Sequence, residues 1–309
     1  MDKLVNRIKL EDLSSSSVFQ TKLWAQVKST QLPFAFEFIS NNRKMDVLVL
    51  VKKLVLNTYL AYIPFAFDDK ITSEEIIFFA TAIKKYLPKN TIMLKLDLLY
   101  SVVVKNKKLH LNKNCIQPKS SIVINLPEEF ELKTRAKRAN KKSSLVVTSV
   151  EKTDKNIALW YNLYKSTAKN KGFFTRSFEY FNSLLNINDD NIILYFAKDD
   201  EKLVGAIINI RGREEELYLF GASLQVSLAG YALQQTAIKN AIEAGIKRYD
   251  LYGIGDAEHK NLNSLNLFKE SFGGKKVQRI GTLDYNYNIV GSLFNFIDSL
   301  RYLYYAHKL

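Results

Sequence analysis

The sequence predicts two α/β domains of related plan, and three observations carry that expectation. Its 309 residues suffice for two domains of ordinary size. Apolar residues make up 47% of the chain and aromatics 12%, enough for a core in each half. The order strand meander, helix, strand, helix, strand can be read twice, which favours two related domains over one doubly wound sheet.

In the first half, FQTKLWAQVK (19–28) reads as a short helix after the Ser14–Ser17 loop, with a serine placed to cap it. FAFEFIS, MDVLVLVKK and NTYLAYIP read as a meander of strands, since they are dense in β-branched and aromatic residues. TSEEIIFFATAIKKYL opens on a capping box, Thr72 and Glu75, and continues with apolar residues at helical spacing. NTIMLKLDLLY returns to strand, and IQPKSSIVINL is expected to close this half. The segment EEFELKTRAKRANKKS then predicts a basic helix, with six Lys or Arg among residues 133–142. Beyond it, NIALWYNLYKSTAKNKG and SFEYFNSLLNI read as helices. NIILYFAKDDEKLVGAIINIRGREEELYLFGAS reads as a strand meander with polar turns. YALQQTAIKNAIEAGIK is an amphipathic helix, RYDLYGIG a strand with a glycine-bearing exit, RIGTLDYNYN a last strand and GSLFNFIDSLRYLYYAHKL a final helix.

The formal charge of +14, from 45 basic and 31 acidic residues, suits a polyanionic partner such as RNA, anionic lipid head groups or phosphorylated metabolites. Apolar runs such as DVLVLV fall short of the roughly 20 residues of a membrane span. The N-terminal MDKLVNRIKLEDL has acids where a signal peptide needs an apolar stretch, so a soluble cytoplasmic protein is expected. A single cysteine, Cys115, allows no internal disulfide or cysteine metal cluster, and is expected to be a small core residue. GxxxxGK[ST], HExxH, CxxC and GxSxG are missing, and His110, His259 and His307 are scattered, as surface histidines would be. These absences point away from a P-loop NTPase, a metal enzyme and a Ser-His-Asp hydrolase. Any catalysis would then rest on Lys, Arg, Tyr and Asp, acting by positioning and electrostatics.

Four stretches, in this order, resemble one family: FQTKLWAQVK, TRAKRANKK, LYLFGASLQVSLAGYALQQTAIKNAIEAGIKRYDLYGIG and LNLFKESFGGKKVQRIGTLDYNYN. Together they are similar to the Fem family, peptidoglycan-bridge aminoacyltransferases that use aminoacyl-tRNA, from about residue 18 to 288. The resemblance implies two tandem acetyltransferase-like (GNAT-like) domains, with mixed sheets flanked by helices. Residues 1–132 with the C-terminal helix 290–309 would bind the precursor, and residues 133–289 would take the aminoacyl-tRNA end and carry catalysis. No pair of long, insertion-like helices is visible, so the chain resembles the smaller members that lack a coiled-coil arm. The implied reaction moves Gly, Ala or Ser from tRNA to the side-chain amine of the third stem-peptide residue. It needs no cofactor and no metal. The implied partners are aminoacyl-tRNA and either UDP-MurNAc-pentapeptide or lipid II. A monomer is expected, and a peripheral contact with the inner membrane surface is compatible with it.

The same resemblance assigns the site residues. Lys28, at the end of WAQVK, matches the family lysine that contacts the precursor's phosphates or sugar, while Trp24, one helical turn earlier, is expected in the core. Arg176 and Tyr180, in FFTRSFEYF, match a pair that holds the precursor's diphosphate, forked guanidinium donors suiting phosphate oxygens. Asp97 falls where the family has an acidic residue near the acceptor amine, as a base or as an orienting charge. Phe220 stands where the family often has tyrosine, so either Tyr218 supplies that hydroxyl or the role is dispensable. Gly221 could admit a substrate to the backbone or mark a bulge. Lys269, in LNLFKESFGGKK, is one basic residue among 45 when read alone. Within the resemblance it would stabilise the tetrahedral anion or hold the terminal phosphates of tRNA, with Phe268 walling the site and Phe272-Gly273-Gly274 turning into the last strand. Lys133, Lys137 and Lys141, in the basic helix with Arg135, Arg138 and Lys142, share a face that could follow an RNA backbone.

Two rival classes remain. An acyl-CoA-dependent N-acyltransferase would fit acetyltransferase-like domains, but its Gln/Arg-x-x-Gly-x-Gly/Ala loop has only the single glycine of LQVSLAGY here. A non-catalytic binder of cell-wall precursor or RNA is the other.

Overall fold

The computed structural model describes residues 3–112, 114–224, 228–256 and 260–306. The chain forms two compact units, Met1–Lys119 with Gln278–Leu309, and Ser120–Val277.

The first unit contains β1 (Leu4–Ile8), α1 (Lys22–Val27), β2 (Leu32–Ser40), β3 (Arg43–Lys53), β4 (Tyr59–Ala66), α2 (Ser73–Ile83), β5 (Thr91–Leu98) and β6 (Leu109–Leu111). The second contains β7 (Ser120–Asn125), α3 (Thr134–Lys141), β8 (Val146–Val150), α4 (Asp154–Lys171), α5 (Phe178–Leu185), β9 (Ile192–Asp199), β10 (Lys202–Arg211), β11 (Glu215–Ser223), α6 (Ala229–Glu243), β12 (Arg248–Gly253) and α7 (Asn266–Lys269). β13 (Lys275–Gln278) joins its sheet, and the chain then returns to the first unit as β14 (Thr282–Asn286) and α8 (Ile289–Ala306).

Both sheets have seven strands and one plan: β1-β2-β3-β4-β5-β14-β6 in the first unit and β8-β9-β10-β11-β12-β7-β13 in the second. In each, four antiparallel strands lead to a parallel pair, β4 with β5 and β11 with β12, joined by a crossover through α2 or α6. The strand beyond each pair comes from elsewhere in the chain, β14 against β5 and β7 against β12.

The apolar run of β3 reflects burial on both faces. Val47, Val49 and Val51 share one core with Ile76, Phe79, Ala80 and Ile83 of α2, while Leu48 and Leu50 are buried as well. α2 starts at the expected capping box, Thr72 accepting from the Glu75 amide and the Glu75 carboxylate from the Thr72 amide. In the second unit, Leu233, Ala237, Ile238 and Ala241 of α6 pack on Tyr195, Ala197, Ile207 and Tyr249. α4 and α5 bring Trp160, Tyr164 and Phe181 together, and Phe181 meets Phe220 at 5.0 Å.

Several expectations need correction. The cap of α1 is Thr21, whose hydroxyl accepts from the Trp24 amide; the preceding serines only lead into a 3-10 turn. IQPKSSIVINL does not close the first unit: its strand, β7, pairs with β12. The division therefore falls at 119/120 instead of 132/133. At the C-terminal side it falls at 277/278 instead of 289/290, because β14 pairs with β5 as well as leading to α8. Cys115 is only half-buried. His110 is exposed, whereas His259 and His307 lie outside the described residues. Among the described residues the longest helices, α4 and α8, have 18 residues each, and there is no coiled-coil arm. No helix among them is long and apolar enough to cross a membrane.

α8 is held to its unit by a buried cation. Lys95 Nζ donates to both oxygens of Asp284 (3.1 and 3.3 Å) and to Asp298 Oδ2 of α8 (3.3 Å). Asn112 also donates to Asp284, at 2.7 Å. Burial pushes the Asp284 carboxyl above its ordinary range, and Lys95 works against that shift. Lys95→Met would strand the Asp284 charge, so a loss of about 3–5 kcal/mol is expected. A fall in the urea midpoint at pH 7 is the measurement.

Candidate active site

The candidate site in the second unit forms where a parallel pair comes apart. β11 and β12 are paired only from Glu215–Leu217 to Arg248–Asp250. Past that point β11 continues on β10, and β12 at Gly253 pairs with Ser121 of β7. Tyr252 has φ +60, a left-handed conformation uncommon for a residue with a side chain. Its amide donates to Asp250 Oδ1 at 2.7 Å, a local turn that compensates part of the strain.

Lys269 enters at this point. Its Nζ donates to the Gly253 carbonyl at 2.6 Å and the Tyr252 carbonyl at 3.3 Å, and lies 5.4 Å from the centre of the Tyr218 ring. The ammonium thus sits between the diverging ends of β11 and β12. The residue is only 5% exposed, and burial pulls its pKa down to about 7, with Asp250 the opposing influence. Its helix, α7, is anchored by Asn266, which accepts from the Gly255 amide (2.8 Å) and donates to the Gly255 carbonyl (3.1 Å). Behind it, Gly273 and Gly274 have φ +89 and +73, and a Cβ on either would strike the carbonyls of Glu129 or Val123. The turn they make leads into β13; β14 follows only after it.

The aromatic walls fall into two groups. Phe268 packs edge-on against Tyr231 (5.1 Å) and Phe272 (5.3 Å), its ring about 3.2 Å from where a Cβ on Gly230 would be. The first turn of α6 is therefore covered by an aromatic ring. Tyr218 packs on the same α6-side core, and burial pushes its phenol up to about 12. Phe220 points to the other side of the sheet, against Tyr164, Tyr180 and Phe181 of α4 and α5. A bulge separates the two: Tyr218 faces Asn209 and Phe220 faces Ile208, with Leu219 in between. Tyr218 consequently does not stand in for a hydroxyl at position 220.

Arg176 lies just before α5, whose N-cap is Ser177, so the expected one-turn spacing within a helix is not what joins it to Tyr180. The guanidinium instead lies over the Tyr180 ring, 4.8 Å from its centre. Arg176 is exposed and Tyr180 half-buried. The basic helix α3 begins beside Lys269: the Lys133 amide donates to the Ser271 carbonyl at 2.8 Å. Ala136 and Ala139 are buried, leaving Arg135, Lys137, Arg138, Lys141 and Lys142 exposed. Lys137 approaches Glu131 at 3.8 Å, a surface pair of little energetic weight.

In the first unit, Asp97 is 2% exposed and both oxygens are engaged, Oδ1 by Thr282 Oγ1 at 2.6 Å and Oδ2 by the Tyr62 hydroxyl. Burial raises its pKa to about 6, against the lowering influence of Thr282, Tyr62 and Arg279. Lys28 closes the C-terminus of α1, its Nζ 4.7 Å from the centre of the Trp24 ring, and Trp24 is in the core as expected. A cleft of about 320 Å³ opens at the exit of β4 and β5, lined among others by Ser14, Asp46, Phe67 and Tyr100.

Residues 131–261 match the model of the acetyltransferase (GNAT) domain family. Among solved structures, FemX superposes with a TM-score of 0.76 at 17% identity, covering 96% of this chain and 100% of FemX. The chain has the fold of FemX. This FemX-like fold is also similar to L-PGS from Bacillus licheniformis, with a TM-score of 0.51, 12% identity, and 89% and 95% of the two chains covered. A tandem GNAT protein from the clavulanic acid biosynthesis pathway superposes at 0.52, with 8% identity and coverage of 92% and 98%. A search of curated proteins gave no match to the sequence.

Sequence reasoning missed Asp250, Tyr252 and Asn266, which aim and brace Lys269. It leaves Gly221 open between room for a substrate and a bulge, and the strand does bulge at Leu219, two residues before Gly221. A Cβ there would overlap the Tyr218 phenol and, among its nearest neighbours, nothing else. Gly221→Ala should thus cost about 1–3 kcal/mol through overpacking. In a Tyr218→Ala background the same change should cost almost nothing, a coupling that a double-mutant cycle in urea would measure.

Proposed function

We propose that this protein is an aminoacyltransferase that takes an amino acid from aminoacyl-tRNA and places it on the side-chain amine of a peptidoglycan stem peptide. The observation that carries this reading is the desolvated Lys269 ammonium, held by two carbonyls at the gap between β11 and β12. It is supported by the FemX-like fold and by the exposed basic face of α3, whose N-cap Lys133 donates its amide to the carbonyl of Ser271, two residues past Lys269.

In the proposed reaction the neutral acceptor amine attacks the ester carbonyl of the charged tRNA. A C–N bond forms, and the carbonyl electrons move to oxygen as an oxyanion beside Lys269. Collapse breaks the ester C–O bond; the ribose oxygen leaves and takes up a proton, while the attacking nitrogen loses one. An ammonium that burial has already stripped of water needs little reorganisation to meet that anion. Arg176 over Tyr180 would grip the precursor's diphosphate. Asp97, with both oxygens engaged, is better suited to holding Tyr62 and Thr282 in place than to removing the amine proton.

The acetyltransferase-family match favours a second reading, acyl transfer from an acyl-CoA. Against it, the Lys269 head occupies the strand gap, and Phe268 covers the first turn of α6 at Gly230, the single glycine of LQVSLAGY. Tight acetyl-CoA binding in a calorimeter would favour this alternative.

The direct test supplies purified protein with charged tRNAs and UDP-MurNAc-pentapeptide or lipid II. A precursor heavier by one amino-acid residue is expected, and its absence with every charged tRNA would overturn the reading. Lys269→Met should lower kcat by about 10²–10³ while melting within a few degrees of the wild type, since it removes a buried charge.

A further inference from the structure

We propose that the first unit carries a docking surface for an anionic lipid bilayer, built from the N-terminal half of α8 and the edge formed by the strand ends beside it, where β3 turns into β4 and β5 begins. α8 is inverted relative to an ordinary surface helix. At 100° per residue, Ile289, Val290, Leu293, Phe296 and Ile297 fall within one arc of roughly 120°. All five are exposed, Ile289 to 84% and Phe296 to 62%. The opposite arc faces the protein and is polar. Gly291 rests on the Ile92 carbonyl, and Asn295 donates to Asn286 at 3.0 Å. Asp298 binds Lys95 (3.3 Å) and accepts from Asn114 (3.2 Å). Rolling α8 to bury its apolar stripe would take Asp298 from the buried Lys95, leaving that cation Asp284 alone, and would break the Asn295–Asn286 bond, so the stripe is held outward.

A second apolar projection lies on the same edge. The turn after β3 exposes Val55 to 77% and Leu56 to 92%, with Leu56 at φ +53. Asn57 of that turn accepts from Asn90, while Ile92, two residues on, accepts from the Tyr287 amide just before α8. The 88–92 turn thus joins the two projections.

Charge selects the occupant. Lys52, Lys53, Lys85 and Lys89 are exposed around this edge. The segments that build it, 47–67, 76–96 and 285–297, contain no Asp or Glu. Two apolar tips within an acid-free ring of lysines suit insertion at the boundary of an anionic bilayer, where apolar burial and attraction to the lipid charge add.

The test sediments the full chain with phosphatidylcholine vesicles and with vesicles that also contain phosphatidylglycerol. Binding to the second kind only is expected, reversed by raised salt and weakened roughly fivefold for each of Lys52 and Lys53 changed to Gln. Leu56→Asp combined with Phe296→Asp should abolish it at an unchanged melting temperature. The proposal is overturned by wild type that stays in the supernatant with both vesicles, by equal binding to both, or by undiminished binding of the double variant. A dimer that Phe296→Asp dissociates in sedimentation velocity would also overturn it, assigning the stripe to a second copy. Transfer to a water-soluble acceptor is expected to be unchanged in the double variant, so loss of docking and loss of catalysis are separately visible.

Discussion

A lysine ammonium held out of water by two backbone carbonyls is the interaction around which the candidate site of the second unit is arranged. Putting a charge there is costly, and the pKa of about 7 at Lys269 expresses that cost. It is tolerated because the backbone is shaped for it. Asp250 holds Tyr252 in a left-handed turn, the turn aims the Tyr252 and Gly253 carbonyls inward, and Asn266 ties α7 to Gly255. Gly273 and Gly274 then carry the chain away through a space that no side chain could share.

The surrounding sheet makes that geometry rigid. Beneath Tyr218 runs a buried polar chain: Arg211 to Glu216 (2.7 Å), Asn209 to Glu216 (2.7 Å) and to Tyr249 (2.9 Å), and Tyr249 to Gln234 of α6 (2.8 Å). It links β10, β11, β12 and α6 just below the point where β11 and β12 part. Burial raises the Glu216 carboxyl, and Arg211 and Asn209 hold it back. The two units share this plan of a parallel pair flanked by a borrowed strand, but they fill it differently. The first places a carboxylate, Asp97, between Tyr62 and Thr282; the second places a cation between Tyr218 and the Tyr252 turn.

Much of the fold was legible because its signals are local. The Thr72–Glu75 capping box, the apolar β3 and the amphipathic α6 each announce themselves within a dozen residues. Strand exchange was not legible: nothing in SSIVIN says that it pairs with RYDLYG, more than 120 residues later, or that TLDYN returns to the first unit. Hence the shifted boundaries. At the site, the resemblance pointed to Lys269, but its bracing depends on a left-handed Tyr252 and on a bulge at Leu219. A bulge turns Tyr218 and Phe220 to opposite faces, which simple alternation along a strand cannot reveal.

The central claim is that the charged form of Lys269 does the work. A group whose pKa is about 7 in the free protein is mostly protonated below that pH and mostly neutral above it. The dependence of kcat/KM for charged tRNA on pH, from about 5.5 to 9, therefore tests it most directly, since that ratio reports the free enzyme. The account predicts that kcat/KM, corrected for titration of the acceptor amine, falls tenfold per pH unit above about 7. A ratio that stays level to pH 9, or rises through pH 7, would contradict it.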